Sequence, residues 1–197
     1  MNPLNTVRGT IISGFILAII FILITGDRHL IGIASQSGMI MAHVLSGITW
    51  IGLLYYFNFV QVPAMADALA DEGGPGPAAI GKYIAPKALL WFRMSAAATW
   101  LTGAWALSMG YGFMNAFLLK PGAEMIGLGS WLGTIMLFNV WVLIWPNQKK
   151  ILGMVEASTE EIAKAKFTAA MASRTNVVLS VPMLLCMIGA GHGGYLF

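Results

Sequence analysis

The chain has 197 residues, 58% of them hydrophobic and 10% charged, with a formal net charge of +3 and a mean hydropathy of +0.77. Soluble domains carry about 25% charged residues, so a lipid bilayer is the expected surrounding, and nucleic acid is not an expected partner. The sequence also lacks a Walker loop, a dinucleotide fingerprint, G-x-S-x-G and H-E-x-x-H, which removes the mechanisms those motifs serve.

The first apolar run, residues 10–25, is near the lower length for crossing a hydrocarbon core. Thr25-Gly26-Asp27-Arg28 is a poor cleavage site, so the run reads as a retained anchor rather than a signal peptide. Further spans are expected over residues 37–60, 88–111, 126–145 and 176–190, each nearly continuously apolar with Pro or Gly near several of the ends. The expected fold is therefore all-α, a single integral membrane bundle of about five transmembrane helices over residues 1–197.

Between the second and third runs, DEGGPGP (71–77) is a loop signal; between the third and fourth, FMNAFLL (113–119) is too short to span and is expected at the interface. Pro146 and the NQKK run after Trp145 mark an exit into water. Ser158-Thr159-Glu160-Glu161 then has the form of a helix-capping box, which predicts a helix entering the fifth span and bending near Pro182.

Positive charge is distributed unevenly. Arg8, Lys82, Lys87, Arg93, Lys149, Lys150, Lys164, Lys166 and Arg174 fall on one side of these spans, and Arg28 and Lys120 on the other. Cationic loops stay cytoplasmic, which predicts a cytoplasmic N-terminus and a periplasmic C-terminus.

All three histidines fall on the outer side in this topology. His29 lies beside Asp27 and Arg28 and reads as a solvated loop residue. His43 lies inside the second span, where an ionisable side chain is costly unless paired or ligated. Ligation of a metal and a neutral imidazole hydrogen-bonded to a neighbouring helix both meet that requirement. On the face of His43 lie Ser46, Gly47 and Trp50, small residues with room for a flat ring and an aromatic wall, although small residues also serve close helix packing. His192 sits in GAGHGG (189–194), which is either a bendable ligand arm or a solvated tail. His43 and His192 are thus the metal-ligand candidates, with Ser46, Gly47 and Trp50 lining a cofactor. No residue is singled out as catalytic.

A second cluster collects at the cytoplasmic ends of the spans: Tyr55, Tyr56, Asn58, Gln61, Arg93, Asn139, Trp145, Arg174 and Asn176. It reads either as a polar pocket for a quinone or substrate, or as interhelical hydrogen bonding with an aromatic belt. The single cysteine, Cys186, forms no internal disulfide, and without CxxCH any haem is held by side chains alone.

HVLSGITWIGLLYYFNFVQVPA (43–64), KALLWFR (87–93), NVWVLIWPNQKK (139–150) and SRTNVVLSVPMLL (173–185) together resemble the membrane domain of bacterial urate hydroxylases, the urate oxidase N-terminal type. More distantly, His43, Trp50, Gly52, Tyr55 and Tyr56 resemble the pattern of haem-binding membrane protoporphyrinogen oxidases, whose corresponding histidine is regarded as a haem ligand. The resemblance implies haem b on His43, location in the bacterial inner membrane, and oxidation of a purine or related molecule if the protein is an enzyme. Urate hydroxylases of this type carry a longer membrane portion followed by a cytochrome c domain. This chain ends at Phe197 without CxxCH, so exchange of electrons with a separate periplasmic cytochrome c is the expectation. Two other roles stand beside this one: a non-catalytic subunit or assembly factor of a respiratory or photosynthetic membrane complex, and a protoporphyrinogen oxidase-like enzyme.

Overall fold

The computed structural model describes residues 2–25 and 31–192, and His29 lies outside them. The described residues are helical and contain no strand. They fall into two compact units, residues 1–38 and 39–197.

In the first unit, a 3-10 turn at Pro3–Asn5 leads into α1 (Val7–Thr25). Apolar residues surround α1 on every side, and Ile11, Phe15, Ile19 and Ile22 are all exposed. A helix that is apolar all round has no solvent face, as expected of a membrane span.

α2 (Ile31–Tyr56) begins six residues before the predicted start of the second span, at residue 37, and continues through a π-turn (Phe57–Gln61) into α3 (Val62–Ala70). After the loop, in which Gly73 and Gly76 take positive φ, a second π-turn (Ile80–Ile84) opens α4 (Ala85–Met109). A short α5 (Phe113–Phe117) coincides with the stretch predicted to be too short to span. It is tied down by Trp131 Nε1, which donates to the Phe117 carbonyl at 3.0 Å. α6 (Glu124–Phe138) passes through a third π-turn (Asn139–Ile144) into α7 (Trp145–Ile151), and α8 (Thr159–Gly191) completes the described chain.

The three π-turns share a cause that the sequence reading passed over. Each is followed by a residue and then a proline: Val62-Pro63, Ala85-Pro86 and Trp145-Pro146. A proline ring crowds the carbonyl four residues back and supplies no N–H to it. Here the residue before each proline donates five residues back, Val62 to Phe57, Ala85 to Ile80 and Trp145 to Val140, and this widened turn accommodates the ring without ending the helix. The helices expected to stop near residues 60 and 145 therefore continue to Ala70 and Ile151. α8 likewise continues through Pro182, and its predicted capping box is formed: Glu161 N donates to Ser158 Oγ, and Ser158 N to Glu161 Oε2.

Among the described residues, four helical stretches are long and apolar enough to cross a membrane: Val7–Ile24, Gln36–Ala70, Glu124–Ile151 and Thr159–Gly191. The predicted third span coincides with α4, which is long enough but less apolar, since it carries Lys87, Arg93, Ser95, Thr99 and Thr102. Its hydroxyls are satisfied within the helix: Ser95 Oγ donates to the Trp91 carbonyl at 2.6 Å, Thr99 to that of Ser95 at 2.7 Å, and Thr102 to that of Ala98 at 2.7 Å. α4 lies antiparallel beside α2, held by an edge-on Phe57–Phe92 contact at 5.5 Å near one end and by His43 against Thr99 near the other.

The core of the second unit is formed by Trp50, Leu54, Phe92, Ala96, Met136 and Val140. α6 and α8 pack closely at Gly129. A Cβ on Gly129 would stand 3.0 Å from Cys186 Cβ, so glycine is needed there.

Candidate functional site

His43 is partly buried on α2, about 18 Å along the axis from Ile31 at 1.5 Å per residue. Its Nδ1 lies 2.8 Å from the carbonyl oxygen of Thr99 on α4. A carbonyl oxygen only accepts, so Nδ1 carries the proton, and in the neutral ring Nε2 is left with a free lone pair. The ring lies over Gly103, where a Cβ would stand 2.8 Å from Cε1 and 3.0 Å from Nδ1. Any larger residue at 103 would push the imidazole off this seat.

The hydrogen bond satisfies one nitrogen as a packing histidine requires. It also orients the ring in the way metal-bound histidines are held, with the distal N–H on a carbonyl and the second nitrogen toward the metal. The structure thus presents one uncommitted nitrogen donor at His43.

The structure places the other predicted lining residues as follows. Ser46 is partly buried, and a Cβ on Gly47 would make an ordinary 3.8 Å contact with Thr99 Cγ2. Trp50, 2% exposed, packs into the hydrophobic core, and its Nε1 has no acceptor among the described residues. His192 caps the exposed end of α8, with Nδ1 3.0 Å from the Ile188 carbonyl. No hydrogen bond links the two imidazoles, and no group of three or more His, Cys, Asp or Glu able to hold a metal occurs among the described residues.

The inner polar cluster is largely engaged between helices. Tyr55 Oη and Ser180 Oγ are 2.9 Å apart, and Asn58 Nδ2 donates to Ser173 Oγ at 2.8 Å, joining the α2 side to α8. Asn139 Nδ2 donates to Asn176 Oδ1 at 2.8 Å, and Asn176 Nδ2 donates to the Met136 carbonyl at 3.0 Å, joining α8 to the helix of α6. Asn58, Gln61 and Asn139 all sit in π-turns. Gln61 is buried with Oε1 unpaired among the described residues. Arg93 lies over the Trp145 ring at 3.8 Å, while Arg174 is exposed. Tyr56 lies tilted against Phe57 at 5.7 Å.

Two open grooves accompany this arrangement, and His43 lines neither. One, of about 340 Å³, is apolar and lined by Ala97, Trp100, Thr134, Leu137, Phe138 and Trp141. The other, of about 360 Å³, is lined by Asn139, Leu143, Phe167, Thr168, Met171 and Thr175 among others.

The second groove, the Asn139–Asn176 pair and the third π-turn all lie in the C-terminal part of the chain, and that part has a recognisable relationship. Residues 110–197 match the family described as urate oxidase N-terminal. The urate oxidase N-terminal match covers NVWVLIWPNQKK and SRTNVVLSVPMLL, two of the four blocks that carried the resemblance in the sequence. His43, Thr99 and Gly103 lie before it, while His192, Asn139, Arg174 and Asn176 lie within it. No curated protein and no solved structure matches the chain.

Sequence reasoning named His43 but missed its seat, because a backbone carbonyl carries no sequence signature. Gly103, four residues after Thr99, was the available clue, since a small residue on a neighbouring span permits close approach. Ser173 and Ser180 were also missed; with Asn176 they recur along one face of α8 at spacings of three and four.

Proposed function

We propose that the chain is a membrane redox protein of the urate hydroxylase kind, in which Nε2 of His43 would hold haem b. The observation that supports this is the Nδ1 bond to the Thr99 carbonyl over Gly103, which orients the ring and leaves one nitrogen uncommitted. Haem held in this way supplies one-electron transfer, with a potential set by its axial ligands and burial. This chain's own part is to hold the imidazole in one tautomer against α4, out of the surrounding lipid. His192 would be the second ligand in this reading.

The topology that goes with it has five crossings in the bacterial inner membrane, α4 included, with the N-terminus cytoplasmic. α4 meets the α2 side at two points, Phe57–Phe92 and His43–Thr99, and is long enough to cross. That orientation turns His43 and His192 toward the periplasm, where a cytochrome c would exchange electrons.

The direct experiment is a visible spectrum of the purified, dithionite-reduced protein. A b-type Soret and α band, lost in His43→Ala and altered in His192→Ala, is the expected result. A featureless spectrum from folded protein overturns the haem reading. It would favour the second reading, a non-catalytic subunit of a larger membrane complex, which the interhelical bonds of Tyr55, Asn58, Asn139 and Asn176 support because they engage the polar cluster in packing.

A further inference from the structure

The orientation of one amide is fixed by a chain of hydrogen bonds. The Met136 carbonyl accepts only, so the atom of Asn176 facing it at 3.0 Å is the NH₂ group. Asn176 therefore turns its Oδ1 to Asn139, and Asn139 must present its own NH₂ there, at 2.8 Å. The carbonyl oxygen of Asn139 is left on the opposite side, and no donor among the described residues reaches it.

Asn139 is 7% exposed and lines the groove of about 360 Å³, whereas Asn176 does not line it. The free oxygen is thus the polar atom that a side chain more than nine-tenths buried turns toward the groove. The hydroxyls of Thr168 and Thr175 lie along the same groove, also without a hydrogen-bond partner among the described residues. Phe167, 68% exposed, and Met171, 37% exposed, form its rim with Leu143.

These features select an occupant. Asn139 Oδ1 is not shut off from the groove, so it can accept from a donor placed there, which phosphate oxygens, being acceptors, do not supply. The rim is apolar, so the donor comes from the bilayer rather than from water. An aromatic ring at the rim beside a thioether favours a flat ring over an alkyl chain, through aromatic and sulfur–aromatic contacts. A lipid-soluble ring bearing hydroxyl donors is a hydroquinone.

We propose that this groove binds the ring of a membrane hydroquinone, with one ring hydroxyl donating to Asn139 Oδ1 and Thr168 or Thr175 meeting the other. In the proposed topology the site lies among the cytoplasmic ends of the spans, apart from the histidines, and it rests on the redox reading for its purpose. Binding itself involves none of the histidines, so failure of this site and failure of haem ligation are separately visible.

The test is equilibrium binding of a decyl-substituted benzohydroquinone to the full chain in nanodiscs under anaerobic conditions, with haem content measured on the same preparation. Saturable binding at one site per chain is expected, weakened about tenfold in Asn139→Leu through loss of the acceptor. Because that variant also removes a partner of Asn176, Phe167→Ala at an exposed position provides the second arm, and several-fold weakening is expected there. The oxidised quinone, which lacks donor hydroxyls, should bind less tightly than the hydroquinone. Non-saturable uptake, equal affinity in wild type and Phe167→Ala, equal affinity for quinone and hydroquinone, or equally effective displacement by 1-decanol would each overturn the proposal.

Discussion

His43 and Thr99 are joined across two helices by a single hydrogen bond, Nδ1 to carbonyl oxygen at 2.8 Å, with the ring seated on Gly103. One bond thereby meets the polar demand of a partly buried imidazole, selects its tautomer and fixes the packing of α2 against α4. The Thr99 carbonyl, which also accepts from Thr102 Oγ1 at 3.1 Å, and the absence of a side chain at 103 do this together.

Gly103→Ala tests that seat without touching the histidine. A new methyl 2.8 Å from the ring forces the imidazole to move, and overpacking of this kind costs about 1–3 kcal/mol. A lower thermal midpoint and, in haem-loaded protein, a shifted or diminished Soret band are expected. An unchanged spectrum alongside a lowered midpoint would show that the seat serves packing alone.

The membrane crossing of α4 can be read with reporters. Alkaline phosphatase fused in the loop at residue 75 should be inactive, and fused near Gly122 it should be active, because α4 separates the two sites. Equal activity at both sites would place α4 on one side of the membrane.

The buried pair Asn139 and Asn176 should couple energetically. Asn176 is 0% exposed and makes two hydrogen bonds, while interhelical bonds in membrane proteins contribute about 1 kcal/mol or less each. Asn176→Leu should destabilise the protein more than Asn58→Leu in a detergent-unfolding titration. A double-mutant cycle with Asn139→Leu should give a non-zero coupling energy, and strict additivity would contradict the pairing.

Removing the cap at the start of α8 should fray only that end. Ser158→Ala deletes the acceptor for Glu161 N at 3.2 Å, a loss of about 1 kcal/mol. Faster hydrogen exchange at residues 159–162, with unchanged exchange near Asn176, is the expected pattern. Unchanged exchange at both places would show that the cap contributes nothing.

The amino-acid sequence determined the parts of this protein that follow from local chemistry. Apolar runs near the length of a bilayer crossing form helices, because a backbone out of water must satisfy its own hydrogen bonds. The capping box at Ser158 formed for the same local reason. The sequence also singled out His43, since an ionisable group within an apolar run has few alternatives.

Tertiary structure decided what depends on a partner distant in the chain. Prolines 63, 86 and 146 read locally as helix ends, yet each is absorbed by a π-turn within a helix that continues. Whether His43 meets a carbonyl, and which way the amide of Asn139 faces, is set by residues 56 and 37 positions away. Periodicity assigns a side chain to a face of its own helix, but only the docking of two helices determines which atom it meets there.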